Sequence, residues 1–333
     1  MAQPLKKPAL APASEHDELL TELVEGLRER PKQVSPKYFY DAKGSELFEA
    51  ICAQPEYYPT RTELAIMEDH LKEVATLIGP DVTLVEYGSG ASLKTRLLLT
   101  ELVTPTAYVP VDISRQYLAS TAMVLGDEFP HIEMLPVAAD FTRPFSLPEP
   151  QAAPRRRVLY FPGSTIGNFS RSDAVTLLKK MRHDAGPDGA LLIGVDLVKP
   201  VAVLERAYND AAGVTAAFNL NLLSHLNAKF QANFVADNFQ HHAVWDSEHR
   251  RIEMRLISCR QQTVNIDALR IDFAPQEFLV TEHSHKYTPA GFAQLAADAG
   301  WMVQQLWTDR RQYFSVQYLV PARRALAMAS RCA

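Results

Sequence analysis

The chain has 333 residues, 47% of them hydrophobic and 22% charged, with a formal net charge of −5. That is enough for one large α/β domain with an insertion or for two modest domains, and it gives no basic footprint for nucleic acid, since the run Arg155-Arg156-Arg157 reads as the solvated start of an apolar strand. Three scattered cysteines, Cys52, Cys259 and Cys332, argue for a reducing cytoplasm rather than a disulfide framework, and the absence of an export signal or a membrane-length apolar run excludes a membrane partner.

Residues 1–13, rich in proline, are expected to be a disordered lead-in. Ser14 can cap a helix on which Leu19, Leu20, Leu23, Val24 and Leu27 recur with helical spacing until Pro31. From Pro36 to Arg61, tyrosines and phenylalanines lie between prolines with little periodicity. That stretch reads either as an aromatic cap over a pocket or as a satellite core clamped on the main domain, so 14–62 is taken as an N-terminal cap. A helix is predicted from Glu63 to about Thr76.

Next, Val82-Thr83-Leu84-Val85 meets Glu86, a glycine turn at Gly88-Ser89-Gly90, and a leucine-rich helical stretch that carries Lys94. This has the form of the first strand, loop and helix of a nucleotide-binding βαβ unit. Glycines let the backbone pass close to a ligand, and a helix start offers free N–H groups. The third glycine of the dinucleotide fingerprint is missing, so the stretch by itself leaves three readings open: a site for S-adenosylmethionine (SAM), a dinucleotide site, and a structural turn.

A second strand, Ala107 to Ile113, ends in Asp112, about two dozen residues beyond Gly88, where an acidic residue hydrogen-bonds the ribose of an adenosine ligand; a helix cap is the plainer role. After a helix from Tyr117 to Phe129 and a strand from Ile132 to Val137 come Asp140 and Phe141, either an adenine contact or an ordinary strand-end turn. The strand Val158 to Phe161 leads into Pro162-Gly163-Ser164-Thr165-Ile166-Gly167-Asn168, at the strand end where such folds make substrate contacts. A helix from Asp173 to His183 and a strand of near-continuous hydrophobicity, Ala190 to Val198, complete a doubly wound parallel sheet.

The periodicity then changes. Helices at Val201 to Ala212 and Thr215 to Phe234 precede alternating strands at Gln240 to Asp246, Arg251 to Ser258, Thr263 to Ile266 and Leu269 to Phe273. We read 199–283 as a mixed α+β substrate-binding insert in a sheet domain formed by 63–198 and 284–333. A helix from Thr288 to Ala299 and strands at Met302 to Thr308 and Phe314 to Val320 return to the main sheet, and such a closing hairpin favours methyl transfer over hydride transfer.

Four motifs, Tyr38 to Ser45, Pro55 to Glu63, Gly163 to Asn168 and Ala207 to Asn219, carry a wider likeness. In order and nearly end to end, the chain resembles the histidine-specific N-α-methyltransferases of ergothioneine biosynthesis, whose fold is a Rossmann-like class I SAM-dependent sheet. The resemblance implies trimethylation of the α-amine of L-histidine to hercynine with SAM as cofactor. It places Gly88, Gly90 and Lys94 at SAM, Asp112 at its ribose, and Asp140 with Phe141 at the adenine. Asn168 and Tyr208 would clamp the substrate carboxylate, Tyr57 would lie near the imidazole, Glu282 and Ser284 would read the ring, and Met254 would wall the pocket. Tyr40 would close over the amine, with Phe48 and Gly163 leaving room for the methyl groups. A strand alternates faces, so Glu282 and Ser284 share one, while His283 and His285 point away. With His241 and His242 those histidines could suggest a metal, but no cysteine pair or His-x-x-x-His spacing supports one, and none is expected. A cytoplasmic monomer with a small-molecule substrate is the resulting expectation. Rival readings are a methyltransferase for another amine, an NAD-dependent oxidoreductase, and a non-catalytic binder.

Overall fold

The computed structural model describes residues 15–90, 93–267 and 269–322. The disordered lead-in, the Ser14 cap, Ala91 and Ser92 of the glycine loop, and Cys332 fall outside the described residues. Helix α1 (Glu15–Arg28) buries Leu23, Val24 and Leu27, and β1 (Lys32–Gln33) follows it. The aromatic stretch is more regular than its sequence suggests, because Asp41 caps α2 (Ala42–Cys52) by accepting from the Gly44 N–H at 2.6 Å. Gly44 is required there: a Cβ would sit 1.7 Å from the Phe39 carbonyl oxygen. Helix α3 (Tyr58–Ile78) begins five residues before the predicted Glu63, since Pro59 suits the first helical turn, where an N–H has no partner to lose.

The main sheet is built from β2 (Val82–Tyr87), α4 (Leu93–Glu101), β3 (Ala107–Asp112), α5 (Arg115–Glu128), β4 (Glu133–Met134), β5 (Val137–Ala138), β6 (Arg156–Phe161), α6 (Arg171–Ala185) and β7 (Ala190–Asp196). The single strand predicted at Ile132 to Val137 is two short ones, both parallel to β3, with Pro136 between them unable to donate to the ladder. Arg156 is not a solvated strand start: it donates to the Ile78 carbonyl at 3.0 Å and so closes the C-terminus of α3.

The insert comprises α7 (Val201–Tyr208), α8 (Val214–Phe230), β8 (Phe239–Asp246), β9 (Arg251–Ser258), the hairpin β10 (Gln262–Ile266) and β11 (Leu269–Phe273), and β12 (Phe278–His285). After it come α9 (Pro289–Asp298), β13 (Trp301–Thr308) and β14 (Phe314–Pro321). The eight-stranded sheet runs β13-β14-β7-β6-β2-β3-β4 with β5 also on β3; β2 to β7 are parallel, β14 runs antiparallel to β7, and β13, antiparallel to β14, returns to the direction of the parallel strands. This is the order and closing hairpin of a class I SAM-dependent methyltransferase.

A second sheet runs β1-β12-β9-β8. Two expected boundaries therefore move: 62/63 falls within α3, and 283/284 cuts β12, which the second sheet keeps whole to His285. The N-terminal segment also joins that sheet directly, because β1 pairs in parallel with β12 through Lys32–Leu279 and Gln33–Val280. Both aromatic readings hold in part: Tyr38 and Phe39 are core, with Phe39 stacked on Phe218 of α8 at 4.4 Å, while Tyr40, Phe48 and Tyr57 line a cavity.

Candidate active site

The glycine turn lies where β2 ends. Gly88 and Gly90 take φ values of +75° and +41°, which favour glycine, and the Gly88 N–H donates to the Val111 carbonyl of β3 at 2.8 Å. At the end of that neighbouring strand Asp112 accepts from the Ser114 N–H at 2.9 Å and faces the Gly90 N–H; burial pushes its carboxyl up, against those N–H groups. Phe141 lies beside Gly88, 3.7 Å from where a Cβ would be, and stacks on Tyr87 at 5.6 Å. Asp140 closes a turn, accepting from the Thr142 N–H at 2.9 Å and its hydroxyl at 2.5 Å, while its other oxygen faces Arg143 at 3.9 Å. Among the described residues nothing lies within 4 Å of where a Gly90 Cβ would be, and Ile113 at the end of β3 is exposed.

Below the loop, Glu86 is buried and accepts from Thr95 at 2.7 Å and from Tyr108. Burial pushes its carboxyl from 4.5 up to about 7, and the two hydroxyls pull the other way. A folded-state value above the unfolded one contributes stability that is fully present below pH 4.5 and is lost as the pH rises through about 7. Glu86→Gln should therefore flatten the pH dependence of Tm, gaining on the parent protein between those limits. Parallel Tm–pH curves for the two proteins would refute this.

A cavity opens at the loop after β6, lined among others by Tyr40, Tyr57, Gly163, Asn168, Tyr208 and Glu282. Its aromatic wall is continuous, with Tyr40–Phe48 at 5.9 Å, Phe48–Tyr57 at 6.4 Å and Tyr57–Tyr208 at 6.1 Å between ring centroids. Burial raises the Tyr40 phenol well above its ordinary value, and the charges of Glu282 and Asp112 add to this, so Tyr40 stands between the two ends of the site.

Strand β12 supplies the far wall. A bulge between Val280 and Glu282, where Thr281 donates to Asn219 at 2.7 Å, sets the register from which Glu282 and Ser284 both reach the cavity. Among the described residues no hydrogen bond holds the Glu282 carboxylate; burial pushes it up to about 7, opposed by the charge of Lys286. His283 and His285 turn away as alternation requires, to Glu253 at 3.6 Å and to the Gly167 carbonyl at 2.8 Å. Met254 is buried opposite Glu282 in the register, behind the cavity surface.

Two connections were not anticipated from sequence. Lys94 is held by the buried Glu63, which also accepts from the Gly163 N–H at 2.9 Å, so the helix after the glycine turn is tied to the cavity loop. At the cavity wall, Asp196 accepts from Tyr58 at 2.7 Å and pairs with Lys199 at 2.5 Å and Lys286 at 2.8 Å. Lys286 also donates to Tyr208 at 3.0 Å and to Ser284 at 2.7 Å. A lone acid in an apolar strand at Asp196, and Lys286 in phase with Glu282 and Ser284, were the available signals.

The description "Histidine-specific methyltransferase, SAM-dependent" matches residues 19–321. The chain belongs to that family. Histidine N-alpha-methyltransferase of Mycolicibacterium smegmatis is 40% identical over 316 residues, covering 93% of this chain and 97% of that protein. The protein of the same name from Mycobacterium tuberculosis is 40% identical over 308 residues, 90% of this chain and 94% of that one. Ergothioneine biosynthesis protein 1 of Neurospora crassa is 30% identical over 305 residues, 89% of this chain but 34% of that longer protein.

In this histidine-specific methyltransferase SAM is the methyl donor and the substrate is a small molecule. With SAM as the family's cofactor, the dinucleotide reading falls away. Among the described residues no group of three or more histidine, cysteine or acidic side chains is placed to hold a metal, and no helix is long and apolar enough to cross a membrane.

Proposed function

We propose that the enzyme methylates the α-amine of L-histidine three times, giving hercynine on the route to ergothioneine. The observation that carries the reading is the Glu282 carboxylate, held by no protein hydrogen bond among the described residues, next to the Ser284 hydroxyl in an aromatic-walled cavity whose Gly163 loop is tied through Glu63 to Lys94. An unpaired acceptor and a hydroxyl on one face suit a ring with two nitrogens, and leave any apolar ring facing unsatisfied polar groups. The names of the relatives support the same substrate and pathway.

In this reading Asn168 and Tyr208 clamp the carboxylate, Tyr57 and Met254 bound the imidazole side, and Glu282 with Ser284 read the ring. Gly88, Gly90, Asp112, Asp140 and Phe141 hold the adenosine part of SAM, with Lys94 toward its methionine carboxylate. Bound SAM supplies an electrophilic methyl on sulfur. The residues of this chain must present a neutral amine in line with it, because an ammonium has no lone pair, and one proton is lost for each methyl gained. Holding both ends of histidine leaves the amine free to turn between rounds. Tyr40, its phenol kept protonated by burial, orients the amine and passes its proton to water. Gly163 and Phe48 leave space for the methyl groups, and the aromatic wall favours the cation as it forms.

Mass spectrometry of a reaction with SAM and L-histidine should show mono-, di- and trimethylated α-nitrogen in sequence. No methylated histidine from protein that demonstrably binds SAM would sink the assignment.

A further inference from the structure

Lys286 takes no part in the reading above, yet it shapes the groups that do. It follows Glu282 and Ser284 at the same two-residue interval, and its side chain is fully buried. Its N–H groups meet Asp196 at 2.8 Å, Tyr208 at 3.0 Å and Ser284 at 2.7 Å, and the Tyr208 and Ser284 oxygens are themselves 2.8 Å apart. An ammonium only donates, whereas a hydroxyl has one proton and two lone pairs. Each hydroxyl therefore gives one lone pair to Lys286, and one of them must donate to the other. The hydroxyl that receives twice has only its proton left for the cavity. The one that donates to its neighbour has only a lone pair left. Held this way, the pair shows the cavity one donor and one acceptor rather than two interchangeable hydroxyls.

We infer that Lys286 is a positioning residue that fixes this polarity, and that the site consequently takes histidine as the imidazolium, with both ring nitrogens protonated. The inference rests on the binding mode proposed above. A carboxylate at Tyr208 only accepts, so Tyr208 turns its proton toward the substrate. Ser284 then donates to Tyr208 and keeps a lone pair for the ring. The other ring nitrogen faces the Glu282 carboxylate, also an acceptor. Two acceptors at opposite nitrogens match a ring with two N–H groups, and the ring's positive charge balances Glu282. A neutral imidazole sets its own lone pair against one of the two oxygens.

The test compares L-histidine with 2-fluoro-L-histidine, nearly the same size but with a ring too weakly basic to be protonated at neutral pH. The native enzyme should favour L-histidine in kcat/KM by roughly a hundredfold. Lys286→Met releases the hydroxyl pair and should close most of that ratio while lowering activity on L-histidine. If that variant does not fold, Ser284→Ala, which removes the acceptor and leaves Asp196 paired with both lysines, should narrow the ratio in the same way. Comparable efficiency on both substrates in the native enzyme, or an unchanged ratio in the folded variants, overturns the inference. Failure of the native enzyme to methylate L-histidine at all overturns the histidine reading itself.

Discussion

Glu282→Gln is expected to lower kcat/KM for L-histidine by roughly three orders of magnitude while leaving SAM binding intact. The amide keeps the volume but cannot supply the charged, acceptor-only group that a bound imidazolium keeps ionised, at a position where no protein hydrogen bond holds the carboxylate among the described residues. A buried site that loses its match to a polar ring is penalised far more than one that loses a methylene, because the unpaired group stays desolvated. The loss should not recover at any pH, since an amide does not titrate. Steady-state kinetics with SAM binding measured in parallel decides it: a loss below tenfold would mean that the ring is read elsewhere.

Asp196→Ala should be the change most damaging to stability, costing about 3–5 kcal/mol. Asp196 is the anion shared by two buried ammonium groups, Lys199 at 2.5 Å and Lys286 at 2.8 Å. Without it both are left charged in the interior with no carboxylate in direct contact among the described residues. Burial already pulls the Lys199 ammonium from 10.5 down to about 8, against the raising effect of Asp196. A base with a depressed folded-state value is destabilising while protonated, and that penalty fades as the pH rises through the folded value. The deficit of the alanine variant should therefore be greatest near neutral pH and shrink toward alkaline pH. Denaturant unfolding at neutral and alkaline pH measures both parts, and near-native stability would show that the network carries little energy.

The parts of the architecture legible from sequence were those with strong periodicity. The apolar runs at Val82, Ala107, Val158 and Ala190 predicted the parallel sheet, and the closing strands pointed to a methyltransferase topology. Helix α2 escapes periodicity because the aromatic residues in and before it divide between a core, as Phe39 does, and a cavity, as Tyr40 and Phe48 do, which blurs any stripe. Strand β1 is two residues long and exists only through its pairing with β12, so no local signal marks it. The grouping of Tyr40, Tyr57, Asn168, Tyr208, Glu282 and Ser284 around one cavity followed from motif likeness, with the shared face of Glu282 and Ser284 derivable from alternation. Glu63, Asp196, Lys199 and Lys286 escaped notice because a buried charge looks like a surface charge until its partner, far away in sequence, is known.

The separation of the two sheets has an evolutionary reading. The glycine turn and Asp112 hang from the parallel sheet, while Glu282 and Ser284 project from β12 in the other. If the proposed site holds, a lineage could trade one acceptor amine for another largely by rewriting alternate positions of β12, and leave the loops of the parallel sheet that would hold the donor untouched.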